Sequence, residues 1–270
     1  MLAAAAALGV ERLDAQLLLL HVLGRRGGDR AWLLAHDTDA LADPVWPAFA
    51  RLCARRVTGE PVAYLVGEKE FHGLELQVDS RVLVPRPDTE TLVEWALQRL
   101  DDRTAPSVLD LGTGSGAIAL AVQHARPDAK VTAVDASAEA LAVASANATR
   151  LALPVRFMES NWLAGADAGY DLIVSNPPYI ASGDSHLPAL RHEPIRALVS
   201  GADGLDDIRR IVQAAPEHLA DGGWLMLEHG YNQADAVRRL LAQRGFAEVQ
   251  SRNDLAGIAR CSGGIRRTVK

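Results

Sequence analysis

The chain predicts an α/β protein whose mostly parallel sheet is covered by helices on both faces. From Ser107 onward, short apolar runs alternate with stretches of helical periodicity, the pattern of strands buried on both sides. Glycines cluster where the first of these runs gives way to a helix, at Gly112, Gly114 and Gly116, as expected where backbone must approach a ligand or turn sharply. Ahead of this region lie amphipathic helical stretches and one alternating stretch. The expected organisation is a small helical domain over 1–68, a β-hairpin connector over 69–86 and an α/β domain over 87–270.

Residues 11–23 place Leu13, Leu17, Leu20 and Val22 at helical spacing, with Gly24 as a stop. A second helix is expected from Asp43-Pro44, with Val45, Phe49, Leu52 and Val57 on one face and Arg51, Arg55 and Arg56 left to solvent. Phe71 to Val84 alternates around Asp79-Ser80 and reads as a hairpin turning there. After the stop Pro85-Arg86-Pro87, Asp88 or Thr89 is placed to cap a helix reaching about Leu100. Strands follow at Ser107–Leu111, Lys130–Asp135, Val155–Met158, Tyr170–Ser175, Gly223–Glu228 and Phe246–Ser251, with a last one at Ile265–Val269. Helices are expected near 116–126, 137–150, 205–220 and 232–244. Trp32, Trp46, Trp95 and Trp224 sit in apolar contexts and are expected in the core.

The chain has 270 residues, 49% hydrophobic and 23% charged, with a formal net charge of -6. That size suits one large domain plus a small one and excludes a disordered class. The acidic balance argues against general nucleic-acid binding, which rests on phosphate neutralisation by Lys and Arg. Cys53 and Cys261 are the two cysteines; they lie far apart and fit neither a disulfide framework nor a zinc site. The eight histidines are scattered without metal-ligand spacing, so no metal is assigned. Met1 to Val10 is apolar but lacks a basic leader and runs into Glu11, Arg12 and Asp14, so it is not read as a signal peptide. No apolar stretch reaches the roughly 18 residues needed to cross a bilayer. The expectation is a soluble, cytoplasmic protein without membrane contact.

Asn176-Pro177-Pro178-Tyr179, directly after the run ending at Ser175, says most about chemistry. Neither proline has a backbone N–H, so the ladder stops and carbonyl oxygens are left beside one amide side chain and an aromatic ring. Such a set of acceptors suits a planar group bearing N–H₂, a carboxamide or an exocyclic base amine. An ordinary strand-to-loop turn is the competing reading. The glycine turn Gly112-Thr113-Gly114-Ser115-Gly116 also satisfies a dinucleotide fingerprint through Gly112, Gly114 and Ala117. Asp135, ending the second core strand, is placed to accept ribose hydroxyls of either cofactor. The glycine spacing, the amide clamp and Asp110 before the glycines favour S-adenosylmethionine. A carboxylate there attracts an ammonium and repels a pyrophosphate. Trp162, following the third strand, is placed to cover an adenine face or to fill a strand-helix junction.

Several separated motifs carry a family resemblance. Residues 110–120 (DLGTGSGAIAL), 133–137 (AVDAS) and 175–180 (SNPPYI) resemble class I S-adenosylmethionine-dependent methyltransferases of amide or amine nitrogens. Residues 59–67 (GEPVAYLVG), 82–90 (VLVPRPDTE) and 227–233 (LEHGYNQ) are similar to the HemK/PrmC protein-(glutamine-N5) methyltransferases. The resemblance implies a Rossmann-like sheet with an antiparallel last strand. It also implies methylation of the glutamine in the Gly-Gly-Gln motif of class 1 peptide chain release factors. The helical front is expected to dock that factor, a monomer is expected, and the acidic balance argues against stable nucleic-acid binding. The resemblance implies cofactor contacts from Gly112, Thr113, Gly114, Ser115, Gly116, Asp135, Trp162 and Asn176. Substrate contacts fall to Asn176, Pro177, Pro178 and Tyr179, with Asn176 and Pro177 doing the catalytic positioning. Arg191 and Glu193 match a stretch near the family's substrate side. Asn161 departs from the pattern, where Asp is frequent. A DNA adenine-N6 methyltransferase, a nicotinamide oxidoreductase and a non-catalytic module are the alternatives. The first lacks a basic duplex-binding face and the second an evident acid or base at a hydride site.

Overall fold

The computed structural model describes residues 1–40 and 42–267, which divide into two units: Met1–Glu68 with Leu187–His192, and Lys69–His186 with Glu193 onward. In the first, α1 (Leu2–Ala7), α2 (Arg12–Val22), α3 (Arg30–Ala35), α4 (Val45–Val57) and α5 (Val62–Val66) gather around a core of Leu18, Leu20, Phe49 and Cys53. Asp14 of α2 accepts from Arg56 of α4 at 2.7 Å. Residues 187–192 join this unit through Arg191 and His192, both of which donate to the Thr58 carbonyl. Only the two longer helices are evident in the sequence. A single turn or two, as in α1, α3 and α5, is too short to show a period and forms only when packed. Val57 and Trp46, expected in the core, are 55% and 44% exposed. Each lies near an end of α4, where the apolar face has passed the edge of the core.

The second unit opens on a hairpin of β1 (Glu68–Phe71) and β2 (Leu74–Gln77). It turns at His72 and Gly73, both at positive φ, and not at Asp79-Ser80 as the alternation suggests. Two consecutive left-handed residues match strand twist, whereas Asp79 only folds back on the Arg81 N–H, 3.0 Å away, after the pairing has ended. Then follow α6 (Glu90–Leu100), β3 (Ser107–Leu111), α7 (Ala117–Ala125), β4 (Lys130–Asp135), α8 (Ala138–Leu151), β5 (Arg156–Glu159), β6 (Tyr170–Ser175), α9 (Asp206–His218), β7 (Leu219–Glu228), α10 (Ala234–Gln243), β8 (Ala247–Asn253) and β9 (Ala259–Ile265). Ser137 caps α8, its hydroxyl accepting from the Ala140 N–H at 3.1 Å.

The seven strands run in the order β5-β4-β3-β6-β7-β9-β8. All pairs from β5 to β7 are parallel, and β9 lies antiparallel between β7 and β8. The chain winds outward from β3 to β5 and then returns to the other side of β3, which makes the β3–β6 junction the place where open α/β sheets bind ligands. Both faces are apolar. Val108, Leu172, Val174 and Met226 pack under α6 and α7, while Leu109, Leu111, Ile173, Leu225 and Leu227 pack under α9 and α10. This alternation explains why the strands read as unbroken apolar runs.

The last strand is Ala259–Ile265, ahead of the expected Ile265–Val269, of which 268 and 269 lie outside the described residues. Glycines in Cys261-Ser262-Gly263-Gly264 read as a loop, yet they are what fits between two strands and a tryptophan. A Cβ on Gly263 would lie 2.5 Å from the Leu225 carbonyl oxygen and 2.9 Å from the Trp95 ring. Gly263→Ala should therefore destabilise the protein by about 1 to 3 kcal/mol through overpacking, read as a lower urea midpoint. An unchanged midpoint would show that the gap can widen freely.

Candidate active site

The site is built where β3 and β6 end together. Leu111 and Ser175 are register partners, and the Ser175 hydroxyl donates to the Leu111 carbonyl at 2.7 Å, fully buried. The next residue of one strand is Gly112, and of the other Asn176. Gly112, Gly114 and Gly116 all have positive φ, 70°, 56° and 86°, a course that L side chains adopt only under strain. The Gly112 and Thr113 N–H groups both donate to the Val134 carbonyl, at 2.8 and 2.9 Å. Asn147 on α8 holds the turn from below. It is fully buried, donates to the Ser115 and Gln77 carbonyls at 3.0 and 2.9 Å, and accepts from the Gln77 N–H at 2.7 Å. One amide thus ties the glycine turn to β2.

An open cleft lies over these strand ends. Gly112, Gly114, Asp135, Trp162, Asn176 and Pro178 border it, together with Ser160, Asn161 and Arg196. A second, narrower cleft of about 410 Å³ is bordered by Gly112, Thr113, Gly114, Ser115, Thr89 and Arg86. Asn176 borders both. Asp135 accepts the Gly114 and Ser137 N–H groups, one on each oxygen at 2.9 Å. Each oxygen keeps lone-pair capacity for a hydroxyl. The Trp162 ring lies against Gly112, where a Cβ would come within 3.1 Å of it, and its indole N–H donates to Asp207 at 3.1 Å. Asp207 is itself held by the Ser200 hydroxyl at 2.7 Å.

Asp110 departs from its expected part. It is buried beneath the turn, accepts from the Thr113 hydroxyl at 2.6 Å and the Ala119 N–H at 3.3 Å, and borders neither cleft. Its carboxyl braces the loop, and burial pushes its pKa up to about 7. Gly116 also stays outside both clefts. It caps α7, where a Cβ would crowd Leu120 and Ala144 at 3.0 and 3.3 Å.

At the Asn-Pro-Pro-Tyr bend, the Asn176 amide donates to the Thr89 hydroxyl at 3.1 Å. This orientation turns its oxygen away from Thr89. Among the described residues nothing donates to that oxygen or to the Pro177 carbonyl. The Tyr179 carbonyl is taken by Gln233, at 3.0 Å, and a Cβ on Gly204 would collide with it. Pro177 is buried, and Tyr179 borders neither cleft. The tyrosine packs on the α9–α10 face of the sheet and its hydroxyl donates to Glu228 at 3.4 Å. Expected as a wall against the substrate, it is here a brace beneath the bend.

Arg191 and Glu193, two positions apart in the sequence, part company. Glu193 is buried, accepts from the Val84 N–H at 3.1 Å and pairs with Arg86, which fixes the segment leading to Thr89. Arg191 belongs to the helical unit. Sequence reasoning quotes Thr89 and Glu228 only inside longer motifs, 82–90 and 227–233, and assigns neither a role in the site. Thr89 reads as a helix cap, but its side chain makes no cap hydrogen bond. Glu228 ends an apolar strand, and a buried carboxylate in such a run, inside the quoted motif, is the signal that could have marked it. Among the described residues, no group of three His, Cys, Asp or Glu side chains could hold a metal ion, and no helix is long and apolar enough to cross a membrane.

Residues 2–67 match the family described as the PrmC N-terminal domain, and residues 89–203 the methyltransferase small domain. Among curated relatives named release factor glutamine methyltransferase, that of Bordetella pertussis (strain Tohama I) is 54% identical over 95% of both chains. That of Xylella fastidiosa (strain Temecula1) is 50% identical, over 97% of this chain and 98% of its own. That of Burkholderia pseudomallei (strain K96243) is 49% identical, over 94% and 92%. Of solved structures, a methyltransferase from Pyrococcus furiosus superposes with TM-score 0.55 at 20% identity, covering 73% of this chain and 90% of that one. The T. thermophilus 16S rRNA N2 G1207 methyltransferase, in complex with AdoMet and guanosine, gives 0.54 at 23%, covering 74% and 50%. These last two share the fold.

The brace under the glycine turn has a pH signature. A carboxyl ordinarily near 4 and here near 7 keeps its proton in the folded protein while the unfolded chain has lost it. Stability therefore falls as pH rises from about 4 to 7 and is flat above. Asp110→Asn should remove about 2 to 3 kcal/mol of the loss between pH 5 and pH 8, measured by urea unfolding at the two pH values. A variant with the parent's full pH difference would place the effect elsewhere.

Proposed function

Because this chain belongs to the release factor glutamine methyltransferase family, an S-adenosylmethionine-dependent group, we propose that it methylates the side-chain amide nitrogen of the glutamine in the Gly-Gly-Gln motif of class 1 peptide chain release factors. The observation that supports the reading is the Asn176 side-chain oxygen, left without a donor among the described residues at a position bordering both clefts, with the equally open carbonyl of Pro177 next to it, although Pro177 itself lines neither cleft. Two acceptors fit the two hydrogens of a carboxamide. They reject a carboxylate, which offers no donor.

The residues present fit the cofactor. Gly112, where a Cβ would press on Trp162, and Gly114, where one would meet open space, leave backbone exposed to a ligand. Asp135 would hold the ribose hydroxyls, with Trp162 beside the adenine and Thr113 and Ser115 along the narrower cleft. S-adenosylmethionine supplies an electrophilic methyl on a sulfonium that leaves as a neutral thioether. An amide nitrogen is a weak nucleophile because its lone pair is delocalised, so placement is the main contribution left to the protein. Asn176 and Pro177 would grip both hydrogens and leave the face of the nitrogen open. Orientation of this kind contributes about 7 to 11 kcal/mol in favourable systems. The nitrogen gains one methyl group and gives up one proton to water. Pro178 stiffens the bend, and Tyr179 and Gln233 anchor it from beneath.

The helical unit, with its own core and the exposed Leu34, is read as the docking surface for the release factor. A net charge of -6 supports a protein substrate over stable nucleic-acid binding. Cytoplasmic, monomeric action on a translation factor is the corresponding reading.

Incubation with purified release factor and S-adenosylmethionine, followed by peptide mass spectrometry, should show one added methyl on the Gly-Gly-Gln glutamine; modification of another residue would overturn the assignment. Asn176→Ala should keep cofactor affinity within about threefold while losing methyl transfer, since each unpaired hydrogen costs about 1 to 3 kcal/mol. Near-normal turnover would remove the clamp. Asp135→Ala should weaken cofactor binding by calorimetry and leave the KM for release factor in place, and unchanged binding would take Asp135 out of the site.

A further inference from the structure

A wall that stacks on a fused heteroaromatic ring contributes most when its own plane is fixed beforehand, because ordering a free side chain on binding subtracts from affinity. Trp162 is fixed at both ends. Its backbone stands at φ 52°, a left-handed course that a bulky residue adopts only where its surroundings impose it. The Ser160 hydroxyl, on a residue 8% exposed, donates to the Trp162 carbonyl at 3.0 Å and accepts from the Gly165 N–H at 3.0 Å. At the other end the ring lies against Gly112, and the indole N–H, the one polar group of the side chain, donates to Asp207 Oδ1 at 3.1 Å.

Asp207 is held in turn. It sits in the first turn of α9 with its side chain 16% exposed. The Ser200 hydroxyl, on a residue 2% exposed, donates to Oδ2 at 2.7 Å and accepts from the Asp207 N–H at 2.8 Å. The Ser200 N–H donates to the Ile180 carbonyl at 3.0 Å, and Val199 pairs with Ile180 in a parallel bridge. The carboxylate is thus anchored to the segment that leaves the Asn176–Tyr179 bend. Arg210 reaches Oδ1 at 3.5 Å from an exposed position, where an ion pair adds little. Asp206, next in the same turn, faces outward to Arg209 at 3.0 Å and complements the helix dipole, so α9 does not require the inward course of Asp207.

From this geometry, and resting on the reading that puts Trp162 beside the adenine, we infer that Asp207 is a positioning residue for the cofactor. It pins the indole N–H, fixes the plane of the ring over Gly112, and so forms the wall of the cleft before the cofactor arrives. Asp207 acts through Trp162, so removing its carboxylate matters only while an indole N–H is there to be held. A carboxylate that bound the cofactor by itself, or that only steadied α9, would cost affinity whichever residue stood at position 162.

The test measures S-adenosylmethionine affinity of the full chain by calorimetry, with the urea midpoint of each variant as a check on folding. Asp207→Ala should weaken binding about tenfold, and Asp207→Asn, which keeps an acceptor for the indole, should recover most of that loss. Trp162→Phe, a ring without the N–H, should weaken binding by a similar factor, and adding Asp207→Ala to it should weaken it by less than about twofold more. Losses that multiply in the double variant, an Asp207→Asn protein as weak as Asp207→Ala, or a Trp162→Phe protein with parental affinity would each overturn the inference. If Asp207→Ala does not fold, Trp162→Phe and Asp207→Asn decide, each compared with the parent. A Trp162→Ala protein that binds cofactor as the parent does would sink the placement of Trp162 beside the adenine. Weak binding by Trp162→Ala together with parental binding by Trp162→Phe and Asp207→Ala would sink only the part given to Asp207.

Discussion

The buried hydrogen bond from the Ser175 hydroxyl to the Leu111 carbonyl marks the constraint on which the site depends: two parallel strands must stop at the same level. A parallel ladder has no internal reason to end two strands together, because its slanted bonds can continue as long as both chains stay extended. Here one strand breaks at a glycine with positive φ and its neighbour at two prolines without N–H groups. Register fixes Leu111 opposite Ser175, so the cofactor turn and the amide clamp become neighbours. A slip of one residue would turn Leu111 and its partners to the wrong face of the sheet, and the apolar packing of both faces resists that.

Around this junction, polar groups are buried with few partners, and each such group acts on the backbone. Asp110 braces the glycine turn from below, Asn147 joins it to β2, and Glu193 fixes the segment carrying Arg86 and Thr89. Burying a carboxylate without full compensation costs stability. Both Asp110 and Glu228 leave one oxygen without a partner among the described residues. Such strain in a core is tolerated where the geometry it enforces matters for chemistry.

The fold by itself does not select a substrate, since the same sheet serves methyl transfer to many acceptors. Selectivity resides in the few atoms at the strand ends. On the proposed reading, two acceptors and no donor at the bend would distinguish a carboxamide from a carboxylate, a rule that holds only while the Asn176 oxygen faces the cleft. That orientation is held by the Thr89 hydroxyl, which accepts from the Asn176 amide at 3.1 Å and stands at the head of α6, next to the segment pinned by Glu193.

By itself the sequence determined the sheet strands from Ser107 to Glu228, the glycine turn, the double-proline bend and Asp135 at a strand end, because each has a local cause: apolar periodicity, permissive φ or a missing N–H. Tertiary structure decided what local rules cannot see. It moved the last strand onto Gly263 and Gly264, where neighbouring strands and Trp95 leave no room for a side chain. It set the hairpin turn at His72-Gly73, buried Asp110 as a brace, and turned Tyr179 from the cleft to the core. It also placed Thr89 behind Asn176. The physical reason is common to these cases: close approach, burial and the polarity of a hydrogen-bond partner belong to residues distant in the chain, and no period or motif encodes them.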